Sequence, residues 1–416
     1  MNNTRSLALE CDIVIIGGGL AGLSSALTIA EYSTARVILV DGAIGSNRSL
    51  PLTFFDTIQK YGLEDSVLES YHGFAMRTRS GNQALRLYDD TPFVSLDYSA
   101  ASSQLYTRLQ ANPNFTHLSA RVVRLDRNPT GWRVRLRNKS TVTCNLLIDA
   151  SGRAHFSARQ LGHPTPPMYS HSYGRFFRNC SAPAGEERVA LFLTGNPRHG
   201  NGGGWFFPLA GQRASFGFAR LTNSAQFPAK ACRQGFEYAL QEFSPYAEIL
   251  QDAIPENVHV GSIPIGPVKR LVYDGLMLVG DAAGQATPWA CMGAEPALLN
   301  GQLCGRVAVS ALREQDFSRS RLLDYERMWK TRNGRGYRQS VMLADMEWQR
   351  GEAAWDYTVN RLDQMSGSEM LHSLRHNTPH ISLPLIWWLR VYDRLGLIRR
   401  SLRDRLNRLL ITKYLK

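Results

Sequence analysis

Cys11-Asp12-Ile13-Val14-Ile15-Ile16-Gly17-Gly18-Gly19-Leu20-Ala21-Gly22 is the stretch on which the fold turns. A short β-branched apolar run that ends in glycines reads as a strand buried on both faces of a parallel sheet. Gly17 then permits a tight turn, Gly19 lets a pyrophosphate approach the backbone, and Gly22 lets helix and strand pack closely. Leu20 and Ala21 open a helix expected over Leu20 to Tyr32, whose N–H groups and partial positive charge face the phosphates. Val37 to Val40 is the second strand of a βαβ unit of about thirty residues. Asp41 at its end is spaced to accept hydrogen bonds from a ribose. A bare glycine triple is also what an ordinary tight turn looks like. Strand, helix and Asp41 in register make it a dinucleotide fingerprint, without saying which dinucleotide.

The chain has 416 residues and 44% hydrophobic composition, which suits two interlocked domains rather than one core. No run of roughly 18 uncharged apolar residues occurs, so a spanning helix is not expected, and Met1 to Glu10 lack a secretory layout, which implies a cytoplasmic start. The six cysteines are scattered without zinc or redox spacing, so reduced thiols and no metal site are expected. A net charge of +13 suits nucleic acid, an anionic membrane or simple solubility, depending on where it sits.

Phe74 to Arg77 and Ala84 to Tyr88 flank a Ser80-Gly81-Asn82 turn and read as a hairpin. Ala120 to Asp149 holds three strand-like runs. Ser170 to Val260 alternates apolar and polar positions with glycine-rich breaks, notably Gly200 to Gly204, as in an antiparallel sheet with one packed face. Helical patterns follow Gly293, through Leu298 to Leu312 and Leu322 to Lys330. The expected fold class is α/β: a doubly wound, Rossmann-type dinucleotide domain (1–70, 95–165 and 265–330), an interleaved antiparallel-sheet substrate domain (71–94 and 166–264), and a helical C-terminal region (331–416).

Leu276-Met277-Leu278-Val279-Gly280-Asp281-Ala282-Ala283-Gly284 is a second buried strand ending in Gly-Asp, with Pro288 and Gly293 before a new helix. Here the sequence resembles the FAD-dependent flavoproteins that include aromatic hydroxylases, geranylgeranyl reductases, flavin halogenases and lycopene cyclases. The resemblance implies FAD as cofactor, with Asp281 bonding the ribityl chain after Gly280, and the helix at Gly293 and Ala294 aimed at the flavin, where its N–H groups stabilise negative charge. Leu147-Ile148-Asp149-Ala150-Ser151-Gly152 is similar to the family's segment beside the dinucleotide. With one glycine fingerprint only, no separate NADPH domain is apparent. The resemblance implies NADPH bound transiently, or another external electron donor.

Gly202-Gly203-Gly204-Trp205-Phe206-Phe207-Pro208 looks like an element of the geranylgeranyl reductase branch, where such residues line a lipophilic cavity. Trp205, Phe207 and Pro208 are therefore candidate cavity residues, and the alternative is core of the middle sheet. Asp41 to Arg48 lacks the cysteine of archaeal-type reductases, and Gly203 stands where tryptophan halogenases carry a second tryptophan. Glu295 is a candidate acid, or else a charge complement to its helix. Cys291 is either a wall residue or a thiol participant. His171, Tyr173 and Arg175 either line the cavity or brace the sheet.

From Leu383-Pro384-Leu385-Ile386-Trp387-Trp388 onward the chain turns amphipathic, with nine Lys or Arg against two acids between Arg390 and Lys416. That composition fits a helix lying on an anionic membrane, or an ordinary capping helix, and no nucleic-acid motif accompanies it. The expectation is an FAD-dependent oxidoreductase of a hydrophobic, isoprenoid or polyene molecule. The alternatives are a monooxygenase or halogenase of an aromatic or polyketide substrate, and a non-catalytic flavoprotein subunit.

Overall fold

The computed structural model describes residues 8–194, 202–243, 246–350 and 352–376. The amphipathic tail from Leu383 lies outside the described residues. Six strands form the central sheet in the order Val272–Tyr273, Leu276–Leu278, Leu146–Asp149, Ile13–Ile16, Val37–Val40, Phe115–Leu118. All neighbours run parallel except the first pair. Ile13 to Ile16, Val37 to Val40 and Leu146 to Asp149 are buried at every position, as continuous apolar strands require when helices cover both faces. Each such side chain contributes about 2 kcal/mol when fully removed from water.

Ile16, Asp149 and Leu278 end at one level, because Asp149 is in register with both Ile16 and Leu278. Ile16 is likewise in register with Val40. The turns that follow these strands therefore open together at the carboxyl edge of the sheet, where open α/β sheets bind ligands. Over that edge the helix Leu20–Tyr32 packs on the long helix Ala294–Glu314. The approach is close, since a Cβ at Gly301 would lie 2.5 Å from the Ala21 carbonyl oxygen. Ser24 and Ser25 hydroxyls donate to the Leu298 and Gly301 carbonyls at 2.7 and 3.1 Å across the contact.

A seven-stranded sheet forms the second layer, in the order Ile254–Ile265, Met168–Arg178, Arg213–Thr222, Gly202–Leu209, Val189–Thr194, Gly73–Thr78, Gln83–Leu87. It is antiparallel except where Val189–Thr194 meets Gly73–Thr78. Gly202 to Gly204 are not a break: they begin the strand Gly202–Leu209. They are glycines for lack of room, since a Cβ at Gly202 would lie 2.3 Å from the Phe218 ring and one at Gly204 2.6 Å from the Gly217 oxygen. The helix Ala229–Glu242, absent from the sequence reading, covers one face of this sheet through Phe236 and Ala239.

Ala120 to Asp149 yields four strands rather than three. Val122–Asn128, Gly131–Leu136 and Thr141–Cys144 join Ala8–Glu10 in a small separate sheet, and only Leu146–Asp149 enters the central one. The helical run at Leu322 belongs to a helix that continues over Arg319–Arg350, followed by Glu352–Asp363 and Gly367–His376.

Candidate active site

At the fingerprint, Gly17 adopts φ +102°, and a Cβ there would lie 2.3 Å from the Ala150 carbonyl oxygen. Gly22 is as tightly held, 2.1 Å from the Gly17 oxygen by the same measure. Leu20 and Ala21 are buried in the first turn of the helix that Gly19 caps, and no side chain of the cap residue bonds that turn. Asp41 accepts from the Gly18 N–H at 2.8 Å and from the Ala43 N–H at 2.7 Å, so it braces the turn with both oxygens. Each oxygen keeps a further lone pair for a ribose hydroxyl.

Tyr98, which sequence reasoning did not place here, puts its hydroxyl 3.1 Å from the Leu20 N–H and accepts from it. Burial, with the Asp281 and Asp41 carboxylates nearby, pushes this phenol up to about 12. Its sequence signal is that Tyr98 to Ser102 is similar to a lycopene cyclase segment, where many hydroxylases carry an arginine; it opens a helix, Tyr98–Gln110, capped by the Asp97 carboxylate, which accepts from the Ala100 N–H at 3.0 Å.

Gly152, at φ +63°, has open space where a Cβ would stand. The turn it belongs to is fixed from behind by the fully buried Asp149, which accepts from the Ser151 and Ser157 N–H groups at 2.9 and 2.8 Å. Gly280 turns at φ +66° over Ala21, and its N–H donates to Gln285 at 2.8 Å. Asp281 differs from the other carboxylates of the edge: among the described residues it finds no hydrogen-bond partner. Burial alone raises it to about 7.

A closed loop follows. The Thr287 N–H donates to the Met292 carbonyl, and the Met292 N–H to the Thr287 hydroxyl, both at 2.8 Å. Behind it the Tyr337 hydroxyl is shared between the Gly284 and Ala286 carbonyls. Pro288 is buried in this loop and Cys291 has φ +52°. Burial pushes the Cys291 thiol up to about 11, with the Ser170 hydroxyl bonding in the other sense, so it is a neutral thiol at pH 7. Gly293 caps the helix that starts at Ala294, 3.9 Å from the Asp281 carboxylate by the position of a Cβ.

Glu295, in the first turn of that helix, is buried. Its Oε1 accepts from the Thr57 hydroxyl at 2.6 Å and pairs with Arg375 Nε at 3.2 Å. Arg375 also pairs with Asp56 and lies 4.2 Å over the Phe54 ring. Burial raises the Glu295 carboxyl, opposed by Thr57 and Arg375.

Trp205 and Phe207 project from one face of their strand into an apolar cluster shared with Trp289, Cys291 and Met292 of the loop. Two of the expected cavity residues thus belong to the same apolar cluster as the loop, and Pro208 points elsewhere. Strand side chains alternate, so Pro208 falls on the opposite face with Phe206, and its carbonyl accepts from the Tyr71 hydroxyl at 2.9 Å. The same alternation turns His171, Tyr173 and Arg175 away from Trp205. His171 is fully buried between the Ser262 hydroxyl at 2.7 Å and the Ser224 carbonyl at 2.8 Å, and Tyr173 packs on Phe236.

A glycine cradle, a helix start without a cap side chain and an orphaned carboxylate fit a ligand with a pyrophosphate and a hydroxylated chain. Comparison with known proteins gives this arrangement a family: the model of the lycopene cyclase protein family matches residues 12–340. The chain belongs to that family. In keeping with this membership, it is 34% identical over 347 residues to the digeranylgeranylglycerophospholipid reductase of Methanocaldococcus jannaschii, covering 79% of this chain and 84% of that one. The digeranylgeranylglycerophospholipid reductase 2 of Methanopyrus kandleri is 35% identical over 138 residues, and there the chain spans only 34% of the relative's length. The geranylgeranyl bacteriochlorophyll reductase-like protein of Thermoplasma acidophilum has the same fold, with a TM-score of 0.76, 16% identity, and coverage of 90% of this chain and 98% of that chain. The lycopene cyclase family member described here is an FAD-dependent oxidoreductase.

Proposed function

We propose that the enzyme adds hydrogen across a carbon–carbon double bond of an isoprenoid molecule. The observation that carries this reading is the apolar cluster that joins Trp205 and Phe207 to the loop Trp289 to Met292, directly before the helix at Gly293. A substrate there is shielded from water and has few polar groups to meet. The name of the Methanocaldococcus jannaschii relative, a digeranylgeranylglycerophospholipid reductase, supports it further.

When bound and reduced, FAD would supply the hydride equivalent. Gly17, Gly19, Leu20, Ala21 and Gly22 would hold its pyrophosphate and Asp41 and Asp281 its hydroxyls, with Gly152 among the residues beside it. Pro288 and Cys291 would wall the cavity, and the N–H groups at Gly293 and Ala294 would stabilise negative charge on the reduced cofactor. Glu295 is a clasp between helices, held by Thr57 and Arg375, and the proton comes from solvent. NADPH or another external donor would supply the electrons. No helix among the described residues is long and apolar enough to cross a membrane, and the basic tail from Leu383 would collect a lipophilic substrate from an anionic surface. Liposome co-sedimentation of the full chain and of one ending at Thr378 tests that role, and equal binding by both removes it.

The decisive experiment reduces the FAD-loaded chain chemically without oxygen and supplies geranylgeraniol. The expected result is a product heavier by one hydrogen molecule per reduced double bond. An unchanged alcohol, together with oxygen uptake in the presence of phenolic substrates, would replace this reading with a monooxygenase or halogenase.

A further inference from the structure

Trp205 is fixed by an arrangement that neither packing nor membership of the cluster requires. Its indole lies across the neighbouring strands: a Cβ at Gly217 would come 2.2 Å from its ring edge, and one at Gly174 would meet the His259 ring at 2.5 Å and the indole at 2.9 Å. Two strands therefore lack side chains where the ring passes. The indole N–H donates to the Ser215 hydroxyl at 3.1 Å, and Ser215 reaches His259 Nε2 at 3.4 Å. His259 meets the indole with ring centres 5.8 Å apart, and burial lowers its imidazole to about 4, so it is a neutral acceptor at pH 7. The polar edge of Trp205 is thus tied down at the end of the sheet remote from the loop.

The floor changes character at the same place. Along the strands from Cys291 and Ser170 come Ser172, Ala219, Leu221 and Gly261, all partly exposed on the Trp205 face. Gly174, Ser215 and Gly217, under the indole, are buried. From Ser170 to Gly174 is four residues of strand, about 13 Å. We infer that Trp205, tied to Ser215 and His259 over the Gly174 and Gly217 floor, is the end stop of a small-residue trough and sets the length of isoprenoid chain the enzyme accepts. This rests on the isoprenoid reading above, and it adds a specificity residue with two levers that act in opposite senses. Removing the ring opens the floor beneath it. Adding a methyl under the ring lifts it into the trough.

The test uses FAD-loaded enzyme and geraniol, farnesol, geranylgeraniol and a longer polyprenol, with binding read from the perturbation of the flavin spectrum. Trp205→Ala should shift the preference toward longer chains by about tenfold, the effect of one or two methylene-sized subsites. Gly217→Ala should shift it toward shorter chains. His259→Ala should flatten the ranking, with Trp205 more accessible to a collisional quencher. A wild-type enzyme that responds to none of the alcohols sinks the isoprenoid reading itself. A wild type that responds, with a ranking unmoved in both Trp205→Ala and Gly217→Ala at full FAD content, overturns the end stop alone.

Discussion

The edge that carries the fingerprint and the sheet face that carries Trp205 both depend on glycines, and they use them differently. At the fingerprint the missing Cβ makes room for backbone: Gly17 faces the Ala150 oxygen and Gly22 the Gly17 oxygen. Under Trp205 the missing Cβ makes room for a side chain, the ring over Gly217. Backbone cannot yield without the strand or helix moving, whereas a ring can tilt. The cofactor edge should therefore fail abruptly and the cavity face should adapt.

Gly22→Val is the largest expected break. It should cost more than about 4 kcal/mol, enough to lose soluble, FAD-loaded protein. Gly217→Ala should cost about 1–3 kcal/mol and keep FAD. Denaturant melts and flavin content check both, and equal losses would erase the distinction.

Asp281→Asn comes next. The carboxyl is raised to about 7 by burial, so folding favours its protonated form in FAD-free protein. That stabilisation is complete below the unfolded value near 3.9 and is lost as pH rises through about 7. Asparagine should remove this slope and leave FAD-free protein more stable than wild type above pH 7, by thermal melts. Flavin hydroxyls favour the ionised form, so wild-type FAD affinity should tighten as pH rises to about 7 and then level. The variant should lose that dependence and bind about 10- to 100-fold more weakly.

The same contrast explains what could be read from the chain. Ile13 to Asp41 is local: strand, turn, helix and acid follow one another, and Leu20–Tyr32 and Val37–Val40 form with the expected bounds. The Gly280-Asp281 turn is equally local. The floor under Trp205 is assembled from strands beginning at Met168, Gly202, Arg213 and Ile254, and their register decides which residues share a face. Nothing near His259 in sequence announces Ser215 or Trp205. One step of alternation separates Pro208 from Phe207, and that step turns Pro208 to the other face of the strand.

Tyr98→Phe probes the cofactor edge more gently. The hydroxyl accepts from the Leu20 N–H, and beside a bound phosphate it would turn to donate. Its loss should weaken FAD several-fold, about 1 kcal/mol, by fluorescence titration. Tighter binding in the variant would mean that the hydroxyl only fills the space a phosphate takes.

Glu295→Gln should have the smallest effect, and it tests where the cofactor edge stops. Glutamine keeps an acceptor for Thr57 and loses the charge that attracts Arg375. It also removes the burial cost that raises the carboxyl. These terms oppose each other, so stability should change by less than about 1 kcal/mol at pH 7. Because the folded value is raised, wild-type stability falls as pH rises through it, and the variant should be the flatter of the two. FAD content and turnover should stay within about twofold if the carboxylate only clasps the helix Gly367–His376 to the helix at Ala294. A loss of turnover beyond about tenfold with FAD retained would instead make Glu295 the proton donor, since general acid catalysis contributes at least about 100-fold. The chemistry would then reach one turn further into that helix than its N–H groups.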